Sequence, residues 1–375
     1  MESSKIGKVE AIGAIVIIMI THIIINLPQN LIQSTGSATP LNVIYISLIT
    51  LLFAYILSKL FSHFPGYDFF DIAEYLGGKV LKILLQILFI VYLIGMAGLV
   101  LRAFALNLQI IYFANIDIAT ILLVFLIAAV IVCRLGFKAV IKGNLIFLPL
   151  ILLSMFILFA STLNNFGIEH FLPVLGYGFN ETFITGTSNI YAFSGVDILF
   201  LLIPYLKNPK DFKKISLISI GISAVYLFFA VIASMFLVPS NLSFEPIFTV
   251  YFAARRISLG SFLERLDPLF IFIWIISIFS YLSIWVYFIT NIFKKSTKLK
   301  VTSPMTYSFA TLIFSVALII TNAGQLINIL STLYKYVPLI FSFVLCFSIL
   351  VLAVIKKKYF DKTTKTMPAT LDTSY

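Results

Sequence analysis

The chain has 375 residues, of which 61% are hydrophobic and only 11% charged, and its formal net charge is +11. Soluble domains carry roughly 25% charged residues because water must wet their surface; with a mean hydropathy of +1.09, this composition excludes a soluble globular fold and leaves lipid as the main solvent. The basic excess lies in short blocks between apolar runs, where it orients a membrane chain and meets anionic headgroups, and it does not point to nucleic acid.

A bilayer core takes about 20 apolar residues per helix. In chain order the predicted membrane helices fall near 9–35, 41–62, 80–113, 118–135, 144–162, 183–206, 215–238, 267–293, 304–321 and 326–355, forming one transporter-like domain followed by a basic tail, 356–375. The first run follows Lys5 and Lys8 as a signal peptide would. No small-residue cleavage site comes after it, and it ends in Asn26-Leu27-Pro28, so it reads as an uncleaved first span. Residues 11–58 contain no acid or base, too long a stretch for one helix, and Gly36-Ser37-Ala38-Thr39-Pro40 divides it. Apolar positions in 67–76 recur at helical spacing, which predicts a short interfacial helix before span three.

The 26 Lys and Arg residues divide unevenly across these spans. Twenty-one lie on the side shared by the N-terminus and the tail, three (Arg255, Arg256, Arg265) on the other, and Arg102 and Lys335 inside spans. The basic side is expected to be cytoplasmic, with both ends of the chain there and an even number of spans. Cys133 and Cys346 sit in apolar runs without a CxxC or a nearby His, and read as small buried thiols.

Two spans carry helix breakers at matching places in the two halves. Span one contains Thr21-His22-Ile23-Ile24-Ile25-Asn26-Leu27-Pro28, and span six contains Ser194-Gly195-Val196-Asp197 and then Pro204. In a five-plus-five arrangement these are the first helices of each half, and interrupted first helices point to a binding site near the midplane. Unwound backbone is tolerated in a membrane only beside a cavity or a ligand. Asp197 adds a carboxylate that needs a partner, a proton or a ligand.

These residues resemble the B subunit of endospore germinant receptors, the spore germination family within the amino acid–polyamine–organocation superfamily. The resemblance is carried by Phe171-Leu172-Pro173-Val174, by Phe193-Ser194-Gly195-Val196-Asp197 through Pro204-Tyr205-Leu206, by Glu264-Arg265-Leu266-Asp267 with Phe270-Ile271-Phe272-Ile273-Trp274, and by Leu27-Pro28. It implies an all-α integral membrane fold of about ten helices in a 5+5 inverted repeat (LeuT-like), with helices 1 and 6 broken. It further implies a subunit that senses a small germinant, an amino acid foremost, in the spore inner membrane, beside an A subunit and a lipoprotein C subunit. A proton- or sodium-coupled amino acid transporter is the alternative that the same fold permits. The chain departs from the superfamily in span one, where no glycine follows Gly13 and Thr21, His22 and Asn26 stand instead, so side chains are expected to share in ligand recognition.

Asp197 is the leading site candidate, to accept from a ligand ammonium, hold a proton or pair with a neighbouring helix; Ser194 and Gly195 precede it. Arg102 and Lys335 are each open to three roles: neutralising Asp197, meeting a ligand carboxylate, or snorkelling to the interface. Thr21 and Asn26 are ligand-site candidates whose first role is to satisfy unwound backbone, and His22 is read as a hydrogen-bonded structural residue. Ser277, Ser280 and Tyr281 of span eight are candidates to face the cavity, although Ser is also frequent at helix contacts. Glu264, Arg265 and Asp267 are expected to cap span eight. No catalytic constellation, P-loop or metal-ligand spacing occurs, so neither catalysis nor a cofactor is expected.

Overall fold

The computed structural model describes residues 5–25, 27–163, 166–237, 267–297, 299 and 303–366. Span one is helical over α1 (Lys8–Ile25) and α2 (Leu27–Thr35), with Asn26 between them outside the described residues. A 3-10 turn at Gly36–Ala38 leads into α3 (Thr39–Ser62), which has Pro40 in its first turn. The Gly-Ser-Ala-Thr-Pro punctuation therefore acts as read.

The next helix, α4 (Phe69–Ile111), has 43 residues, about 65 Å if straight and twice the thickness of a bilayer core. It is kinked instead. Gly78 takes φ +74° and ψ −171°, a conformation open in practice only to glycine. The short piece before the kink is the expected amphipathic helix. Asp68 caps it, accepting from Asp71 N at 2.8 Å while Asp71 accepts from Asp68 N. Lys82, beyond the kink, pairs with Asp71 and Glu74 at 2.8 Å each. Lys295 reaches Asp68 at 2.8 Å from the end of span eight. Lys356, at the end of span ten, donates to Tyr75 O and Leu76 O.

This short helix is thus tied to spans three, eight and ten. Asp68→Ala removes a cap and the partner of Lys295 together, and is expected to cost about 1–2 kcal/mol. Chemical unfolding of the purified protein checks it. The Lys295→Met loss should largely vanish in the double variant.

Then follow α5 (Ile118–Arg134) and α6 (Phe137–Thr162), with Pro149 inside the latter. Span six starts as a π-helical turn, Asn180–Ile184, and continues as 3-10 helix over Thr185–Asp197, kinked at Phe193 (φ −102°, ψ 28°), before α7 (Ile198–Leu202). Runs of 3-10 helix beyond 3–4 residues are uncommon and mark hinges or strain. The second half contributes α8 (Phe212–Leu237), α9 (Asp267–Thr297) and α10 (Ser303–Ile319).

Span ten departs from the single helix expected at 326–355. It is α11 (Ala323–Ser331), α12 (Leu333–Pro338), a π-helical stretch Leu339–Cys346 and α13 (Phe347–Thr366). Pro338 cannot donate within a helix, and the widened turn that follows accommodates it.

Which helices are central follows from their apolar faces. In α1 the run Ala14–Ile20 is apolar all round and fully buried, as a helix without a polar face must be at the middle of a bundle. It packs on α6, α8, α9 and the 3-10 segment of span six. Span six is 89% buried over its apolar window, whereas span five is only 28% buried and lies at the rim. Among the described residues seven helical stretches are long and apolar enough to cross a membrane, and α5 and α10 are shorter apolar helices.

Candidate functional site

Spans one and six touch closely at Gly195. A Cβ there would stand 2.8 Å from Ile18 Cγ2, 3.0 Å from Met19 Cγ and 3.2 Å from Met19 N, so only glycine lets these backbones meet. Two residues on, Asp197 is 3% exposed. Its Oδ2 accepts from the Tyr92 hydroxyl of span three at 2.8 Å, and its Oδ1 has no side-chain partner. Tyr92 is held by stacking on Phe341 of span ten, with centroids 4.1 Å apart and planes at 13°.

Around this acid stand Tyr281 of span eight and Tyr334 of span ten, both buried and within electrostatic reach of the carboxylate. His22 packs edge-on against Tyr281, with centroids 5.1 Å apart, and its Nδ1 meets the Tyr334 hydroxyl. Ser194 is buried beside Tyr334. The Ser280 hydroxyl is buried without a partner, and the buried Tyr281 hydroxyl and Trp285 indole N–H approach each other.

The candidate residues separate into two groups. Asp197, Ser194, Gly195 and Tyr281 come together at the junction of spans one, three, six, eight and ten. Thr21 stands at its edge, donating to Ile17 O at 2.8 Å and Ser277 O at 3.2 Å, which fastens span one to span eight. Ser277 spends its own hydroxyl on Ile273 O at 2.9 Å.

Arg102 and Lys335 are not brought to the acid. Arg102 donates to Thr321 O at 3.2 Å, tying span three to the segment after α10, and Lys335 is half-buried with Nζ over the Tyr336 ring at 5.8 Å. Neither forms an ion pair with Asp197. Asn26, Glu264 and Arg265 lie outside the described residues, as does the Asp267 side chain.

Tyr92 and Tyr334 were missed because each reads as one more aromatic in an apolar run. The available signal was a phenol where phenylalanine would have packed as well.

A second polar cluster organises the first half of span six. Asn42 Nδ2 donates to Thr182 O at 2.7 Å and Gly186 O at 3.1 Å, and its Oδ1 accepts from Asn189 Nδ2 at 2.9 Å. Asn189 also reaches Ser34 Oγ at 2.9 Å. At the opposite end of span six, Ile6 pairs with Leu206 as a short β-bridge. Ile6 N donates to Tyr205 O at 2.8 Å and Lys207 N to Ile6 O at 2.9 Å, while Lys5 Nζ reaches Pro204 O at 3.0 Å.

Size alone does not pick the site. A cavity of about 520 Å³ between α6 and α8 is apolar and shares no residue with the Asp197 cluster. The cleft that reaches His22 and Tyr334, lined also by Leu27, Asn30, Val100 and Leu330, holds about 20 Å³, room for roughly one water. The arrangement is closed around the acid.

The family model described as "Spore germination protein" matches residues 5–326. The chain belongs to the spore germination protein family. It is 24% identical over 321 residues to Spore germination protein KB of Bacillus subtilis (strain 168), covering 82% of this chain and 84% of that one. It is 22% identical over 303 residues to Spore germination protein YndE of the same strain, covering 78% and 82%. The match to Spore germination protein B2, 24% identical over 166 residues, spans under half of either protein, 44% of this chain and 45% of the relative.

In structure the family member resembles a Na+-coupled sialic acid symporter described in a substrate-bound outward-open state. The TM-score is 0.58 at 14% identity, over 92% of this chain and 77% of the symporter. The fold is therefore the LeuT-like transporter fold of a multi-pass membrane protein, and its sixth span is interrupted at Phe193.

Proposed function

We propose that this chain is the membrane subunit of a spore germinant receptor, binding a small germinant, an amino acid foremost, between spans one, three, six, eight and ten. The observation that carries the reading is Asp197. It is a buried acid where span six meets span one, with one oxygen unpaired and, among the described residues, no cation paired with it. A ligand shifts a conformational balance only through its different affinity for the two states. A carboxylate enclosed this tightly supplies such a difference when the site opens and closes.

The 21-to-3 split of basic residues supports cytoplasmic termini. The family of its relatives supports placement in the spore inner membrane, in a complex with an A subunit and a lipoprotein C subunit.

Asp197→Asn keeps the shape and the Tyr92 contact and removes the charge. It should abolish or strongly blunt germination while the protein stays in the membrane at normal level. Germination of spores carrying the variant, followed against germinant concentration, tests this; an unchanged dose response refutes the assignment. Proteoliposomes separate sensing from transport, because accumulation of labelled amino acid inside them would replace the receptor reading with that of an ion-coupled transporter.

A further inference from the structure

An acid taken out of water must be neutralised by a cation or a proton. Span three offers the Tyr92 phenol, which donates to Oδ2 at 2.8 Å. Span eight offers the Tyr281 phenol. Span ten offers the Tyr334 phenol and the Cys346 thiol. Phenols and thiols ionise to anions, so none of these supplies positive charge. His22 of span one lies behind, its Nδ1 on the Tyr334 hydroxyl. Among the described residues no Lys or Arg pairs with Asp197: Arg102 is spent on Thr321 O, and Lys335 sits over Tyr336. Among the described residues, then, nothing positive answers the carboxylate, which leaves that task to a proton or to a cation on a ligand.

We propose that Asp197 is an exchange site, at which a proton on the carboxyl and the ammonium group of a ligand are alternative, mutually exclusive occupants. The proposal rests on the reading of this site as the germinant pocket and adds the class of group the pocket selects. Oδ1, the oxygen without a partner, carries the proton in the ligand-free protein. When an ammonium enters, the O–H bond breaks, the proton leaves to water, and an N–H donates to the carboxylate. The rings of Tyr281 and Tyr334 suit the same occupant, since aromatic faces attract cations.

The sign of the linkage follows. Only the deprotonated carboxyl accepts the ammonium, and raising the pH enlarges that fraction. Ligand affinity therefore rises about tenfold per pH unit while the free acid is protonated, then levels off once it ionises unaided. A proton-coupled symporter has the opposite sign, because there proton and substrate bind together.

Two measurements on the full chain in lipid nanodiscs test the exchange. Infrared difference spectra between wild type and Asp197→Asn at neutral pH need no ligand, and should show the carbonyl band of a protonated acid in the wild type alone. A carboxylate signal from Asp197 instead overturns the proposal. Calorimetric titration then screens the common L-amino acids, and for each binder the 2-hydroxy acid lacking the ammonium, in buffers of different ionisation enthalpy. The expected result is proton release on binding, the pH slope above, and no competition from the hydroxy acid. Binding that is indifferent to pH, or that takes up a proton, overturns the exchange and leaves the pocket assignment standing. Failure of every amino acid to bind overturns the pocket assignment, and the exchange with it.

Discussion

Asn42→Leu should be the most damaging single change around the first half of span six, costing about 2–4 kcal/mol. The side chain of Asn42 donates to the carbonyls of Thr182 and Gly186 and accepts from Asn189. Leucine has a similar volume but takes that donor from both carbonyls and leaves Asn189 with Ser34 alone. Each orphaned group costs about 1–3 kcal/mol where water cannot reach it. The carbonyls belong to the junction where the π turn becomes 3-10 helix, so the loss should appear as local unwinding ahead of Asn189. Hydrogen exchange of 180–190 read by mass spectrometry should speed up strongly while spans eight and nine stay protected. Wild-type exchange there would mean that Asn42 is a bystander. Asn42→Asp, which keeps an acceptor for Asn189 and loses the donor, should fall between the two.

Gly195→Val is expected to destabilise the protein by about 1–3 kcal/mol, the usual cost of overpacking, and to disable the site as well. The added atoms enter space already held by Ile18, Met19 and the Met19 backbone nitrogen. Side-chain ends yield cheaply, but the nitrogen moves only if α1 moves. Prising α1 from span six displaces Asp197 two residues away, so ligand response should fall further than stability alone explains. Gly195→Ala, with one carbon to absorb, should show a smaller loss of both. Thermal unfolding in detergent with a germination assay separates the effects, and a Val variant that melts like wild type would show that the helices do not meet as described.

What could be read from the chain, and what could not, divides along a physical line. The expected break at Asn26 of span one lies outside the described residues, whereas the interruption in span six was legible because Gly, Pro and a lone Asp are rare, locally acting signals in an apolar run. The same holds for the Gly36–Pro40 divider and for the interfacial helix, whose Asp68 and Asp71 form a local capping box. Partnerships between distant segments were not legible. Asp197 invited a search for a cation, and Arg102 and Lys335 were the obvious choices by charge. Its hydrogen bond goes to Tyr92, 105 positions earlier, a contact that no periodicity announces. Nor does apolar content reveal the divided span ten, where Pro338 was the only punctuation and the π turn after it depends on how neighbouring helices pack.

The strand-like pairing of Ile6 with Leu206 has a practical corollary. The main chain at the start of the protein is spliced onto the far end of span six by two backbone hydrogen bonds and the grip of Lys5. A bulky reporter fused just ahead of Lys5 would therefore tug on the very segment that carries Asp197, whereas one attached beyond α13 would leave it alone. Fluorescent or affinity labels belong at the carboxyl end, and a phenotype seen with an amino-terminal label reports on that splice before it reports on the ligand.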